Sequence, residues 1–240
     1  VTPQQYLDQV AADSARFASA AAGNLDRDIE FLDDWSVRDL VAHLGAVYSF
    51  IVANTTELSD EVQQAGAEAK APDGDAIIDW FAERRATLLA TLGALDPTAD
   101  AWTFMGMQPA VFWQRRMTHE TGVHRWDIEA AVHGPDAVDP IDPDMATDGI
   151  EEYLVFGLRD RGRTYPADSL HLHRTDGPGE WMLAADENGK LLVTHEHGKG
   201  DAAVRGSASD LLMWLWGRPV EGVEIFGDQA VADTWQSLAP

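Results

Sequence analysis

Apolar residues recur with a helical period through the first half of the chain and with a period of two through much of the second. Between positions 3 and 22 an Ala-rich segment sets Tyr6, Val10 and Phe17 at roughly helical spacing. A second helix is expected to open at Ser36, whose spacing to Asp39 is that of a capping box, with Asp in place of the preferred Glu or Gln. Its stripe runs through Val37, Leu40, Val41, Leu44, Val47, Tyr48 and Ile51, the pattern of a helix that buries one face. An acidic stretch from Glu57 to Gly74 leads to a third helix near 75–94, ending before Asp96-Pro97. A fourth runs from about Pro109 to Ala131 and stops at His133-Gly134-Pro135. Four such helices predict an antiparallel bundle over residues 1–135.

Beyond Pro135 the pattern changes. Asp136 to Asp144, with Pro140 and Pro143 among aspartates, reads as a linker, and a helix near 145–159 follows. In SLHLHR, Leu170 and Leu172 fall on one side of a strand and His171 and His173 on the other. EWMLAA and KLLVTHEH flank Asp186-Glu187-Asn188-Gly189, a hairpin signal. A strand near Ala202–Arg205, a helix over 208–216 capped by Gly217, the segment VEIF and a closing helix to Trp235 complete a small α+β domain over 145–240. The expected fold class is therefore α+β, with a helical bundle followed by a mixed domain.

Charge and composition narrow the function. With 17 Lys+Arg against 41 Asp+Glu, the formal net charge is −24, which opposes nucleic-acid and anionic-membrane partners. No apolar run approaches the ~20 residues that span a bilayer, and the first residues lack the basic and apolar regions of a signal peptide. A soluble cytoplasmic protein is the expectation. The chain has no cysteine, so neither a Cys nucleophile nor a Cys-type zinc site is available, and any thiol chemistry needs a thiol from outside.

The sharpest chemical signal lies in FWQRRMTHETGVHRWD. Glu120 and His124, four apart, share a helix face with Trp113, Met117, Ile128 and Ala131, which aims both into an apolar interior. Burying a carboxylate beside an imidazole costs several kcal/mol unless compensated, and a divalent cation compensates well. A Glu–His surface pair or a satisfied core hydrogen bond is the alternative. His43, beside Leu40 and Val47, lies on the flank of its own stripe, where a packed or half-exposed histidine is the ordinary reading. Asp127 follows His124 by three and either supports a ligand histidine or sits solvated at the helix edge. Arg38 and Arg116 are open in the same way. The His171/His173 and His195/His197 pairs each put two imidazoles on one strand face; exposed strand histidines are the expectation there, a second metal site the alternative.

The pair WSVRDLVAHLG (35–45) and RRMTHETGVHRWD (115–127) resembles the signature of the mycothiol-dependent maleylpyruvate isomerase family, within the DinB-like metal-binding four-helix superfamily. The likeness extends over nearly the whole chain, more weakly in the C-terminal half. It implies a DinB-like four-helix bundle and a divalent metal, zinc by preference, held by His43, Glu120 and His124. It also implies mycothiol as thiol cosubstrate and a small electrophile as substrate. Two histidines and a carboxylate leave open positions, as a catalytic metal requires. The family's Gly-Arg pair after a C-terminal helix matches Gly217-Arg218 in LLMWLWGRPVEGVEIFGD, making Arg218 an anion clamp; an ordinary salt bridge is the alternative. Arg218 and Asp127 are thus the candidate catalytic groups, and Arg38 and Arg116 the candidate cofactor-binding ones. The expected chemistry is mycothiol-dependent S-transfer or isomerisation. Hydrolysis by metal-bound water and a non-catalytic binding role are the alternatives.

Overall fold

A computed structural model describes residues 1–58, 61–62, 70–158 and 164–239. The chain divides into two compact units, Val1–Val138 and Asp139–Pro240.

In the first unit the helices are α1 (Pro3–Ala21), α2 (Val37–Thr55), α3 (Ala76–Ala94) and α4 (Val111–His133). Helix α1 packs chiefly on α4, and α2 on α3. The expected capping box is present: Ser36 accepts from the Asp39 backbone N–H, and the Asp39 side chain accepts from the Ser36 backbone. Val37, Leu40, Val41, Leu44, Tyr48 and Ile51 are buried and Val47 of the expected stripe is half-buried against the same core. Part of the acidic stretch from Glu57 to Gly74 lies outside the described residues.

One expectation fails at the start of α4. Pro109 belongs not to a helix but to a hairpin of β1 (Asp100–Thr103) and β2 (Gly106–Pro109) that delivers the chain to Val111. Four-residue strands give little periodic signal, and only β1 has a buried side, with Ala101 and Thr103 turned inward. Gly106, at φ +85°, makes the tight return. The far end of α4 stops at Gly134, whose φ of +91° ends the helical path.

The second unit opens with α5 (Pro143–Glu152), two residues earlier than expected because Asp142 caps it and Pro143 takes the first turn. The α-helix ends at Glu152 and continues as a π-helical turn, Tyr153–Gly157; the expected end, 159, lies outside the described residues. A five-stranded sheet follows: β3 (Leu170–Arg174), β4 (Glu180–Ala185), β5 (Leu191–Thr194), β6 (Ala202–Gly206) and β7 (Val223–Gly227), in the order β5-β4-β3-β6-β7. Only the β3–β6 pairing is parallel. The β4–β5 hairpin turns through Asp186 to Lys190 with Gly189 at φ +74°. Helices α6 (Ala208–Leu215) and α7 (Gln229–Gln236) pack against β3, β6 and β7. Leu170, Leu172, Trp181, Leu183 and Val204 form the buried face of the sheet. The alternate residues, His171 and His173 among them, share the other face.

Candidate metal centre

Helix α4 carries a dense load of buried polar side chains, and α2 faces it with His43. The Nε2 of His43 lies 3.2 Å from Glu120 Oε1, and the Nε2 of His124 lies 3.3 Å from the same oxygen. These separations match the ~3.3 Å edge of a tetrahedron built on the ~2.0–2.1 Å bonds of a zinc–nitrogen or zinc–carboxylate contact. The candidate ligand atoms of the three residues lie within 4.8 Å of one another. The His43 and His124 rings meet edge to face at 5.0 Å, and the Trp35 ring also packs edge to face with His43 at 5.2 Å.

The atoms turned away from the centre are also engaged. His124 Nδ1 is 2.9 Å from Asp127 Oδ2, and Asp127 is fully buried, so the solvated reading of this residue does not hold. A donating Nδ1–H leaves the Nε2 lone pair directed at the centre. Arg116, itself buried, donates to Glu120 Oε2 and leaves Oε1 inward. Both contacts are one helical turn long. The Arg116–Glu120 pair was readable from its i,i+4 spacing, and it fixes the Glu120 carboxylate rather than facing open solvent.

Electrostatics follow from these partners. Burial penalises the charged form of Glu120, but the Arg116 guanidinium and the two imidazoles outweigh it and hold the carboxyl well below the usual range. Burial also opposes a charged His124. Hydrogen bonds to Asp127 and Glu120 overcome that and raise it to about 9. On another side of α4, buried Arg125 pairs with Asp13 at 3.3 Å and Glu129 at 3.0 Å, and Arg16 closes the group on Glu129. The Arg125–Glu129 pair has the i,i+4 spacing of a helix face, but no local pattern announced Asp13 and Arg16, which come from α1.

The remaining candidates have local partners of their own. Arg38, in the first turn of α2, donates to the Gly74 carbonyl at 2.8 Å and to Asp26 at 3.1 Å. Arg218, in the second unit, follows Gly217 at φ +74°; its backbone N–H reaches the Met213 carbonyl and its Nη1 donates to the Trp216 carbonyl at 2.7 Å. The expectation of exposed strand histidines fails for His171, which is buried. His195 and His197 do not share a strand at all: β5 ends at Thr194, and the two reach different carboxylates, Glu151 and Glu180.

Fold and site together define a two-unit α+β protein with two histidines and a carboxylate converging inside a four-helix bundle. Residues 7–129 match the family model of the mycothiol maleylpyruvate isomerase N-terminal domain, and residues 144–234 match that of the MDMPI C-terminal domain. The chain belongs to the mycothiol-dependent maleylpyruvate isomerase family. Among solved structures, a mycothiol-dependent maleylpyruvate isomerase is similar with a TM-score of 0.58 at 16% identity, over 94% of this chain and 93% of that one. A histidine-to-alanine mutant of such an isomerase gives a TM-score of 0.62 at 14% identity over the same shares. At these identities the likeness establishes the fold. A comparison with curated protein sequences finds no match.

Proposed function

We propose that the chain is a divalent-metal enzyme using mycothiol as cosubstrate for isomerisation of, or S-transfer to, a small electrophile of the maleylpyruvate class. The observation that carries this reading is how the donor atoms are divided. His124 gives Nδ1 to Asp127 and keeps Nε2 for the centre, Glu120 gives Oε2 to Arg116 and keeps Oε1, and His43 adds a second Nε2. Two imidazole nitrogens and one carboxylate oxygen suit zinc first, and also nickel, iron or manganese. A bound divalent ion would lower the pKa of a coordinated thiol so that thiolate is available near neutral pH. Family membership supports mycothiol as that thiol, and the chain has no cysteine to take its place.

The protein's own groups bind and orient. Asp127 holds His124 in the tautomer that presents Nε2, and Arg116 keeps Glu120 ionised. Arg38 is assigned to the polar body of the thiol cofactor. Arg218 is assigned to a carboxylate of the electrophile, where a fixed cation offsets the repulsion between that anion and an incoming thiolate. The thiolate would add to one carbon of a conjugated double bond, its π pair passing to the conjugated carbonyl as an enolate. Rotation about the resulting single bond and re-expulsion of the thiolate would give isomerisation, while protonation of the enolate carbon by solvent would keep the C–S bond and give S-transfer.

Metal analysis of the purified protein, followed by turnover of maleylpyruvate and related electrophiles with and without mycothiol, tests the reading. Metal-dependent turnover that requires the thiol is expected. Turnover with metal but without thiol would instead support hydrolysis by a bound water, and a His43/Glu120/His124 centre that takes no metal would support a non-catalytic binding role. Arg218→Ala should lower turnover by roughly 10²-fold with metal content unchanged. Arg218→Lys should recover little, since an ammonium cannot match a bidentate fork; unchanged kinetics in Arg218→Ala would remove it from the mechanism.

A further inference from the structure

We propose that the second unit carries a cation site of its own, separate from the bundle centre, in which His171, His173, Glu180 and His197 bind Zn2+. The sheet register builds most of it. His171 and His173 stand two apart on one face of β3, and antiparallel pairing sets Glu180 of β4 directly opposite His173. His197 comes from the loop after β5. Gly200 lets that loop run close to the sheet: a Cβ there would lie 2.6 Å from the Ala202 carbonyl oxygen and 3.0 Å from the His171 backbone nitrogen.

The four side chains converge. Glu180 Oε2 is 3.0 Å from His171 Nε2 and 2.7 Å from His197 Nδ1, and Glu180 Oε1 is 3.3 Å from His173 Nδ1. The candidate ligand atoms all lie within 4.8 Å of one another, and the ring centres are 5.5, 6.0 and 6.3 Å apart. Three imidazoles around one carboxylate form the nitrogen-rich, singly anionic set that a borderline divalent ion prefers, and four donors complete a tetrahedron. His171 is almost wholly buried, whereas His173 is a third exposed and His197 mostly exposed. A cavity of about 620 Å³ lined by His171, His197 and the following loop gives an ion a path from solvent. A surface of net charge −24 draws cations toward it. With four protein donors the site is a closed, structural one, and the ion would pin the loop carrying His197 to β3 and β4.

Equilibrium dialysis against Zn2+ at pH 7.5 tests the site with the full chain and two paired variants. His173→Ala with His197→Ala removes one half-buried and one exposed donor, neither of them in the core. His43→Ala with His124→Ala removes the bundle centre. The first pair should lose one zinc equivalent, or bind it at least ~100-fold more weakly, since removing direct donors exceeds the 10–100-fold cost of losing their supporting partners. The second pair should retain that equivalent, and Glu180→Gln should weaken the same one. Wild-type zinc binding in the first pair, or loss of all zinc in the second, would overturn the proposal. Because each pair reports on its own cluster, failure here leaves the bundle centre to be judged separately.

Discussion

His124 stands between two carboxylates, and each sets one of its ring nitrogens. Removing the ring should abolish metal binding at the bundle centre while the unit stays folded, because the surrounding core (Trp113, Met117, Ile128 and Leu44) is apolar and closely packed without it. Metal content and far-UV circular dichroism of His124→Ala check this, and global unfolding where wild type is folded would contradict it. Asp127→Asn preserves shape but lets the amide present either an acceptor or a donor to Nδ1. It should weaken metal affinity by roughly 10–100-fold, the usual cost of losing an outer partner. An unchanged dissociation constant would make Asp127 a packing residue.

At the scale of elements, α2 must approach α3 closely enough to seat His43 against α4. Gly45 permits this: a Cβ there would lie 2.1 Å from the Trp80 ring of α3. Gly45→Ala gains about 1 kcal/mol in helix propensity but drives a methyl into that ring. The overpacking should win and destabilise the protein by about 1–3 kcal/mol. Denaturant unfolding measures it, and a stabilised variant would mean that the ring swings aside at no cost. The cap at the start of α2 is the opposite kind of feature, entirely local. Ser36→Ala should cost about 1 kcal/mol by leaving backbone donors unsatisfied.

For the molecule as a whole, the bundle centre couples stability to pH, and would couple the proposed metal binding to it as well. In metal-free protein His124 rises from an ordinary 6.5 to about 9, so its stabilising contribution is fully present below about 6.5 and fades as pH climbs toward 9. Glu120 is shifted the other way. Its contribution is present above the ordinary carboxylate value of 4.5 and fades as pH falls below it. Metal binding runs against the histidine term, since a proton must leave His124 before Nε2 can donate. Apparent affinity should therefore rise about tenfold per pH unit between 6.5 and 9, with one proton released per ion from this residue. Affinity flat over that range would show that His124 is neutral in the metal-free protein or does not bind the ion. Among the described residues no helix is long and apolar enough to cross a membrane.

What the amino-acid sequence determined alone is what depends on neighbours within a turn or two. The Ser36–Asp39 cap, the buried stripe of α2, the shared face of Glu120 and His124 and the Asp186–Lys190 hairpin all rest on fixed local periods and turn chemistry. The four-residue strands before α4 escaped because so few residues show no period. Tertiary structure decided the rest. It brought His43 to within 3.2 Å of Glu120 across 77 positions, buried Asp127, and paired β3 with β6 in parallel. It also carried His197 from a loop to the face of His171 and turned an expected row of exposed imidazoles into a partly buried cluster. Those contacts are set by which apolar surfaces close on one another, and that closure has no signature in the spacing of residues along the chain.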